Sequence, residues 1–151
     1  MIDEGYKKII LSSFLTHKKV LENVLANCAE DIFAASEIIF EAIEDDATIF
    51  FCGNGGSSSD SEHLAAEFVG RFKINRIPLR AISLSSNTSI LTCISNDFGF
   101  DHVFSRQLEG LSKENDVLIA ISTSGNSFNI INCLKQANKS AVKTISLLGN
   151  Q

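Results

Sequence analysis

The stretch that decides the fold is Thr48-Ile-Phe-Phe-Cys52, followed directly by Gly53-Asn-Gly-Gly-Ser-Ser-Ser59. The first part is a short apolar run rich in strand-forming residues, the second predicts a loop, and Asp60 to Gly70 then has the pattern of a helix. The same order recurs later in the chain, as a strand over Asp116 to Ile121, a loop over Ser122 to Ser127 and a helix over Phe128 to Asn138.

The rest of the chain extends this alternation. It predicts strands over Leu79 to Leu84 and over Lys143 to Leu148, with a helix over Thr88 to Ser95 between them. Strands that are apolar throughout and alternate with helices indicate an α/β fold with a parallel sheet covered on both faces. Right-handed crossovers place every strand-to-helix loop on one edge, where ligands of such sheets bind. The sequence stops three residues after its last predicted strand. That strand either lies at an edge or has lost a following C-terminal part, and we expect the second.

Helices are predicted in residues 1–46, and the α/β domain is expected to occupy residues 47–151, the two forming one structural domain. Apolar residues recur at the spacings of one helix face, namely Phe14, Leu21, Leu25, Cys28 and Ile32. A second helix over Asp31 to Glu44 would turn Ile32, Ile39 and Ile43 inward. These helices either pack on neighbouring subunits or cap their own sheet.

Composition excludes several classes of function. The 151 residues suit one domain, and their net charge of −5 argues against nucleic acid as a partner, because phosphate backbones need a basic face. No apolar run approaches the roughly 20 residues of a membrane-spanning helix, and the N-terminus lacks the basic region of a secretory signal. The four cysteines show no metal-binding spacing. Reduced thiols of this kind, used as small apolar residues, point to the cytoplasm.

Two loops rich in Ser and Gly suit an anionic ligand. Gly53 to Ser57 lacks the ending of a P-loop and departs from GxGxxG at Ser58, so nucleotide binding is poorly supported. Glycines nevertheless let backbone amides approach an anion, and the following helix presents its positive end. Ser122 to Ser127 supplies four hydroxyls at another helix start. Each loop alone would be interpreted as a capped turn, but two on neighbouring strands predict a site for a phosphomonoester.

His63 and Glu67 lie four residues apart on the predicted helix after the first loop, so they share one face. By themselves they would be an exposed pair worth a few tenths of a kcal/mol. Because this face starts at the expected phosphate site, we favour a functional pair, either metal ligands or a general base beside a polarising group. Asp60 is interpreted as a helix cap, with a role in the site as the second possibility.

Three further polar residues have two open interpretations each. Asn96 and Asp97 follow a predicted helix, and they either form a closing turn or bind sugar hydroxyls. Arg71 is either a surface residue or a clamp on the phosphate. All three are therefore kept as candidates for contact with a substrate.

Several of these motifs occur together in one order: Cys-Gly-Asn-Gly-Gly-Ser at 52–57, Asp60, His63, Glu67, Gly-Arg-Phe at 70–72, Asn-Asp-Phe-Gly-Phe at 96–100, Phe-Ser-Arg at 104–106 and Ile-Ser-Thr-Ser-Gly-Asn-Ser at 121–127. In this combination the chain resembles the phosphoheptose isomerase (sedoheptulose 7-phosphate isomerase) family, a branch of the sugar isomerase (SIS) domain superfamily. The resemblance extends over essentially the whole chain. It implies a three-layer α/β/α fold and a homotetramer whose sites lie between subunits.

The resemblance also implies an activity and a set of site residues. The expected reaction converts D-sedoheptulose 7-phosphate to D-glycero-D-manno-heptose 7-phosphate, the entry step to the heptose of bacterial lipopolysaccharide core. Glu67 would be the catalytic base, and His63 and Glu67 would bind one zinc ion per subunit together with a Gln and a His that would lie beyond residue 151. The residues matching the family's phosphate loop are Ser122, Thr123, Ser124 and Ser127. Those matching its other substrate-binding positions are Asn54, Gly55, Gly56, Asn96 and Asp97, to which we add Ser57 and Arg71 as candidates.

An aldose–ketose isomerase moves a proton between neighbouring carbons through an enediol, which requires a base, an acid and stabilisation of an oxyanion. We assign Glu67 as the base and the histidine expected beyond residue 151 as the acid, with zinc polarising the carbonyl. The alternative is a non-catalytic SIS-domain binding protein, either a partner of the replication initiator protein or a sugar-phosphate sensor. By the same resemblance, such partners lack the glutamate matching Glu67, and sensors usually accompany a DNA-binding domain, which this sequence does not show.

Overall fold

The computed structural model describes residues 3–149, and a four-stranded parallel sheet organises its α/β part. The strands are β1 (Ile49–Gly53), β2 (Ala81–Ser83), β3 (Val117–Ser122) and β4 (Lys143–Leu148). Their order across the sheet is β2-β1-β3-β4. The α/β fold class expected from the sequence is confirmed.

Six α-helices accompany the sheet within the described residues: α1 (Glu4–Asn27), α2 (Ala29–Glu44), α3 (Gly56–Val69), α4 (Thr88–Phe98), α5 (Ser105–Leu111) and α6 (Phe128–Lys139). A short 3₁₀ turn covers Phe100–His102. This turn and α5 were not predicted from the sequence, because a seven-residue helix is too short to show a clear helical period.

Helices cover both faces of the sheet, and this explains why β1 and β3 are apolar throughout. Every residue of these two strands is buried. Successive side chains point to opposite faces, so Phe50 and Leu118 pack with Cys133 of α6. On the other face, Ile49, Phe51, Val117 and Ile119 pack with Ala42 of α2 and Ala65 of α3.

One buried carboxylate joins the starts of β1 and β3. Asp116 is 4% exposed, and its Oδ1 accepts a hydrogen bond from the Thr48 amide at 2.7 Å. Its Oδ2 accepts from the Lys113 amide, also at 2.7 Å. These bonds satisfy both oxygens and hold the two central strands at the edge opposite the two Ser/Gly loops.

The chain divides into two compact units between Glu37 and Ile38, inside α2, whereas the sequence suggested a division after residue 46. The last two turns of α2 belong with the sheet because Ile38, Ile39 and Ile43 pack against its core. Ile32 was expected to face inward like Ile39, but it is 50% exposed, since it lies two turns earlier, in the other unit. No helix among residues 3–149 is long and apolar enough to span a bilayer.

Several element boundaries differ from the sequence prediction. α3 begins at Gly56, four residues early, because Gly55 adopts a positive φ of 55° that turns the chain at once into the helix. Asp60 therefore lies in the second turn of α3, and its interpretation as a cap was wrong. α4 continues to Phe98, where Gly99 ends it with a φ of 88°. The second helix also starts earlier than expected, at Ala29.

Candidate active site

The two Ser/Gly loops lie side by side at one edge of the sheet. Loop 1 (residues 53–57) runs from the last residue of β1 into the first turn of α3, and loop 2 (residues 122–127) runs from the last residue of β3 to the start of α6. β1 and β3 are neighbours, with Gly53 level with Ile121, although β2 lies between them in the sequence. The strand order reverses at this point, and ligands of open α/β sheets bind at such reversals.

Loop 1 is tightly packed at its start and open at its turn. A Cβ on Gly53 would overlap the Ser57 carbonyl group, so only glycine lets α3 begin this close to β1. By contrast, a Cβ on Gly55 or Gly56 would meet no atom within 4 Å. The start of α3 thus has free space beside its backbone, where an anion can approach the amides and the positive end of the helix dipole.

Loop 2 is held in a turn by its own hydroxyls. The Gly125 amide donates to Ser122 Oγ at 3.2 Å, and the Asn126 amide donates to Ser124 Oγ at 3.2 Å. The Ser122 hydroxyl, which accepts an amide proton, still has its own proton to donate, as a phosphate oxygen requires. Ser127 occupies the cap position of α6 without a side-chain cap bond, and Thr123 is exposed.

A pair of amide side chains connects the two loops. Asn54 Nδ2 donates to Asn129 Oδ1 at 2.9 Å, and Asn129 Nδ2 donates to Asn54 Oδ1 at 2.9 Å. Asn54 belongs to loop 1, and Asn129 lies in the first turn of α6, directly after loop 2. Loop 1 therefore contacts the first turn of α6, directly after loop 2, through a residue that the sequence did not single out.

A second set of buried residues fixes loop 1 from the side of β2. Ser85 Oγ donates to the Gly53 carbonyl at 3.0 Å and accepts from the Gly53 amide at 3.4 Å. Next to it, Ser83 and Ser61 join β2 to α3 through hydroxyls 2.8 Å apart. Sequence reasoning missed these serines, although Ser83-Leu-Ser-Ser86 is a third hydroxyl-rich stretch at a strand end.

His63 and Glu67 occupy one face of α3, as predicted, with His63 Nε2 at 3.8 Å from Glu67 Oε1. The His63 side chain is 73% exposed and that of Glu67 is 30% exposed. Glu67 Oε2 is buried and has no hydrogen-bond partner among the described residues. A buried carboxylate oxygen without a donor is unusual in a folded protein, and it marks this group as able to take a proton or bind a ligand.

The Glu67 carboxylate lies in a groove of about 480 Å³, lined by Ile43, His63, Leu64, Glu67, Phe68, Phe72, Arg76 and Leu79. Arg76 secures one wall of this groove, because its guanidinium donates to the Glu67 carbonyl at 2.7 Å and to the Phe68 carbonyl at 2.8 Å. The groove contains no residue of loop 1 or loop 2. Each residue of a helix adds about 1.5 Å, so Glu67 lies about 16 Å along α3 from Gly56.

The other candidates bond to near neighbours in the sequence. Arg71 is exposed and donates to Asn75 Oδ1 at 2.7 Å. Asn96 and Asp97 lie in the last turn of α4, not in a turn after it, and Asn96 Nδ2 donates to Asp97 Oδ1 at 2.8 Å. Within one chain, the structure therefore places loop 1 beside the start of α6, and the groove at Glu67 contains neither loop.

The donors on α3 fit a metal ion only in part. A histidine nitrogen and a carboxylate oxygen at this spacing are ligands that zinc accepts, and the unpartnered Oε2 of Glu67 is available. Residues 3–149 contain no group of three or more His, Cys, Asp and Glu placed to hold a metal. His63 and Glu67 are thus two candidate ligands of a set that these residues do not complete.

Two thiols lie beneath loop 1. Cys52 ends the apolar part of β1 and Cys133 lies on α6, and both are fully buried. The hydrogen bond with Cys133, followed by burial, raises the pKa of the Cys52 thiol well above its usual value. Both cysteines act as small apolar residues under the loop, as the sequence suggested.

Comparison with known proteins first defines the class. A family model described as SIS domain matches residues 3–149. Together with the parallel sheet and the two hydroxyl-bearing loops at its reversal point, this match shows that the chain is a SIS-domain protein.

Individual relatives then define the family. The chain is 48% identical over 149 residues to a phosphoheptose isomerase of Helicobacter pylori, covering 99% of this chain and 76% of that protein. It is 50% identical over 140 residues to one of a Nitratiruptor species, covering 93% and 75%. The chain therefore belongs to the phosphoheptose isomerase family, as its motifs indicated, and it spans about three quarters of the length of these relatives.

Solved structures agree with this assignment. Phosphoheptose isomerase from Neisseria gonorrhoeae matches with a TM-score of 0.90 at 37% identity, covering 97% of this chain and 76% of that one. The enzyme from Francisella tularensis matches with a TM-score of 0.88 at 29% identity, covering 99% and 78%. The fold and the order of the loops are thus those of the family.

Proposed function

We propose that this protein is a phosphoheptose isomerase, which converts D-sedoheptulose 7-phosphate to D-glycero-D-manno-heptose 7-phosphate. Its membership of the family supports the reaction, and the Glu67 carboxylate is the observation in the structure that carries it. The reaction needs a base that is shielded from bulk water yet open to a ligand. Glu67, with one buried, unpartnered oxygen at a groove, meets that description.

The phosphate end of the substrate is assigned to loops 1 and 2. The open backbone at Gly55 and Gly56 and the hydroxyls of loop 2 would surround a phosphoryl group between two helix starts. Ser57, Ser122, Thr123, Ser124 and Ser127 would donate to its oxygens. The phosphate would fix the sugar, so that the reacting carbons occupy a defined position.

Glu67 would perform the proton transfer. In the direction from ketose to aldose, its carboxylate takes a proton from C1, the electron pair of the C–H bond forms a C1–C2 double bond, and the C2=O2 electron pair moves onto O2, which gives an enediolate. A proton then passes from O1 to O2, and the Glu67 carboxyl returns its proton to C2 as the carbonyl forms between C1 and O1. We assign no residue between 3 and 149 as the acid that serves the two oxygens.

The separation between the loops and Glu67 favours a site that is completed between copies of the chain. About 16 Å along α3 is long for one heptose phosphate to span. α1 has no buried residue, although it carries large apolar side chains such as Phe14, which is 71% exposed. We therefore propose a homo-oligomer, in line with the tetramer expected from the resemblance, and light scattering would measure its mass.

We also propose zinc as the metal held by His63 and Glu67, with the remaining ligands supplied from outside residues 3–149. When bound, zinc would polarise the carbonyl and stabilise negative charge on its oxygen. Elemental analysis of the purified protein tests this assignment. A role in lipopolysaccharide core synthesis and a cytoplasmic location are part of the same proposal, the latter supported by four free cysteines.

Replacing Glu67 with Gln tests the function directly. Removal of a general base costs about 10² to 10⁴-fold in rate, so we expect kcat to fall in that range while sedoheptulose 7-phosphate still binds in calorimetry. Glu62→Gln is the matched control, because Glu62 is an exposed carboxylate on the same helix, and its kcat should stay unchanged. Turnover by the Glu67→Gln variant close to that of the wild type would show that the base has been assigned wrongly.

A further inference from the structure

Asn129 has no assigned role, yet every polar atom of its side chain is used. It is 2% exposed. Its Oδ1 accepts from Asn54 Nδ2 and also from the Ile130 amide at 3.0 Å, and its Nδ2 donates to Asn54 Oδ1. Asn129 is thus buried and makes three of the four hydrogen bonds that its amide can form, which fits a structural link between the two elements rather than a contact with a substrate.

The pair it forms with Asn54 is a side-chain link between the two loops. It joins residues 75 positions apart across the reversal point of the sheet. On its other side, loop 1 is held by Ser85 through two bonds to Gly53. Loop 1 is therefore fixed between β2 and α6, and only the α6 side depends on Asn129.

We propose that Asn129 is a positioning residue, which sets the distance between loop 1 and loop 2 and so tunes the affinity for the phosphate group. The inference rests on the proposed phosphate site. Because the Asn54 side chain is bonded to Asn129, the pair holds loop 1 at a fixed distance from the start of α6. A displacement of about 1 Å at such a site can cost on the order of a hundredfold in activity, and reciprocal buried hydrogen bonds keep groups within that tolerance.

The test uses inorganic phosphate as a competitive inhibitor of the isomerase, together with KM, kcat and the melting temperature. We expect Asn129→Ala to raise both the phosphate Ki and the KM by about tenfold, a loss of about 1.4 kcal/mol, with kcat within threefold of wild type, because Glu67 lies far along α3. Asn129→Ser should do the same with a milder loss of stability. Its hydroxyl can still accept the Ile130 amide but is too short to reach Asn54.

Ile130→Val is the control for stability. Ile130 is also 2% exposed and lies next to Asn129, so removing one methylene lowers the melting temperature without touching the amide pair. Its Ki and KM should not change. In addition, the double variant Asn54→Ala, Asn129→Ala should have a phosphate Ki no higher than that of whichever single variant has the larger Ki, because the two side chains act as one unit.

Two results would overturn the inference. One is a Ki within twofold of wild type for both Asn129 variants while the melting temperature falls as in Ile130→Val, which would make Asn129 a purely structural residue. The other is fully additive effects of the Asn54 and Asn129 substitutions on Ki. Both results leave the isomerase assignment standing. A wild-type protein with no turnover and no phosphate binding would instead overturn the proposed function, and with it this inference.

Discussion

Replacing Gly53 with Ala tests whether loop 1 must keep its present path. The added Cβ would lie 2.5 Å from the carbonyl carbon and 2.8 Å from the Cβ of Ser57, and it would overlap the carbonyl oxygen. Real Cβ atoms essentially never approach within 3.0 Å. The first turn of α3 must therefore move by about 1 Å or strain in place, at a cost of about 1–3 kcal/mol. For a chain of this size that cost lowers the melting temperature by about 2–12 °C.

The catalytic effect should exceed the effect on stability. Because loop 1 binds the substrate in the proposed site, a shift of about 1 Å should lower kcat/KM by on the order of a hundredfold, measured at a temperature where the variant is folded. Gly110→Ala is the matched control. Its Cβ meets no atom within 4 Å, it lies in α5, and alanine is a better helix former than glycine by about 1 kcal/mol. If Gly53→Ala keeps kcat/KM within threefold of wild type, the close approach of α3 to β1 does not govern the site.

Three other predictions concern stability and thiol chemistry. Asp116→Ala removes two hydrogen bonds to a charged group, so it should lower the free energy of unfolding in urea by about 3 kcal/mol or more, and a loss below about 1 kcal/mol would contradict the role given to this carboxylate. With a disulfide reagent at pH 8, the exposed Cys93 should react in the folded protein, whereas Cys52 and Cys133 should react only after unfolding. Since the pKa of Cys52 is raised on folding, its contribution to stability is complete below the usual thiol pKa of about 8.5 and is lost as the pH rises through the raised value. Denaturation at pH 8 and pH 10, compared with Cys52→Ala, measures that loss.

Much of the fold could be predicted because its signals are local. Apolar runs such as Thr48 to Cys52 and Asp116 to Ile121 marked the two central strands within one residue of their observed bounds. The ends of the helices were harder to predict, since Gly and Ser residues considered by their own propensities favour a loop. Residues 56–59 were predicted as a loop, yet they form the first turn of α3, because the backbone at Gly55 turns directly into the helix.

The site was predictable only in part, because the sequence shows local spacing but not which elements become neighbours. The hydroxyls of loop 2 and the pairing of His63 with Glu67 follow from spacing along the chain. The link between Asn54 and Asn129 does not, because it depends on the sheet order that makes β1 and β3 neighbours.

α3 runs without interruption from loop 1 to Glu67, so the number of residues between them is under selection as well as their identity. Inserting one residue before His63 would rotate His63 and Glu67 by about 100° and advance them by about 1.5 Å, which takes the carboxylate away from its groove. Substitutions of exposed side chains on α3 leave the angular position of His63 and Glu67 on the helix unchanged. Insertions and deletions among homologues should therefore be absent between Gly56 and Glu67 and be tolerated in the irregular segment that leads from α3 to β2.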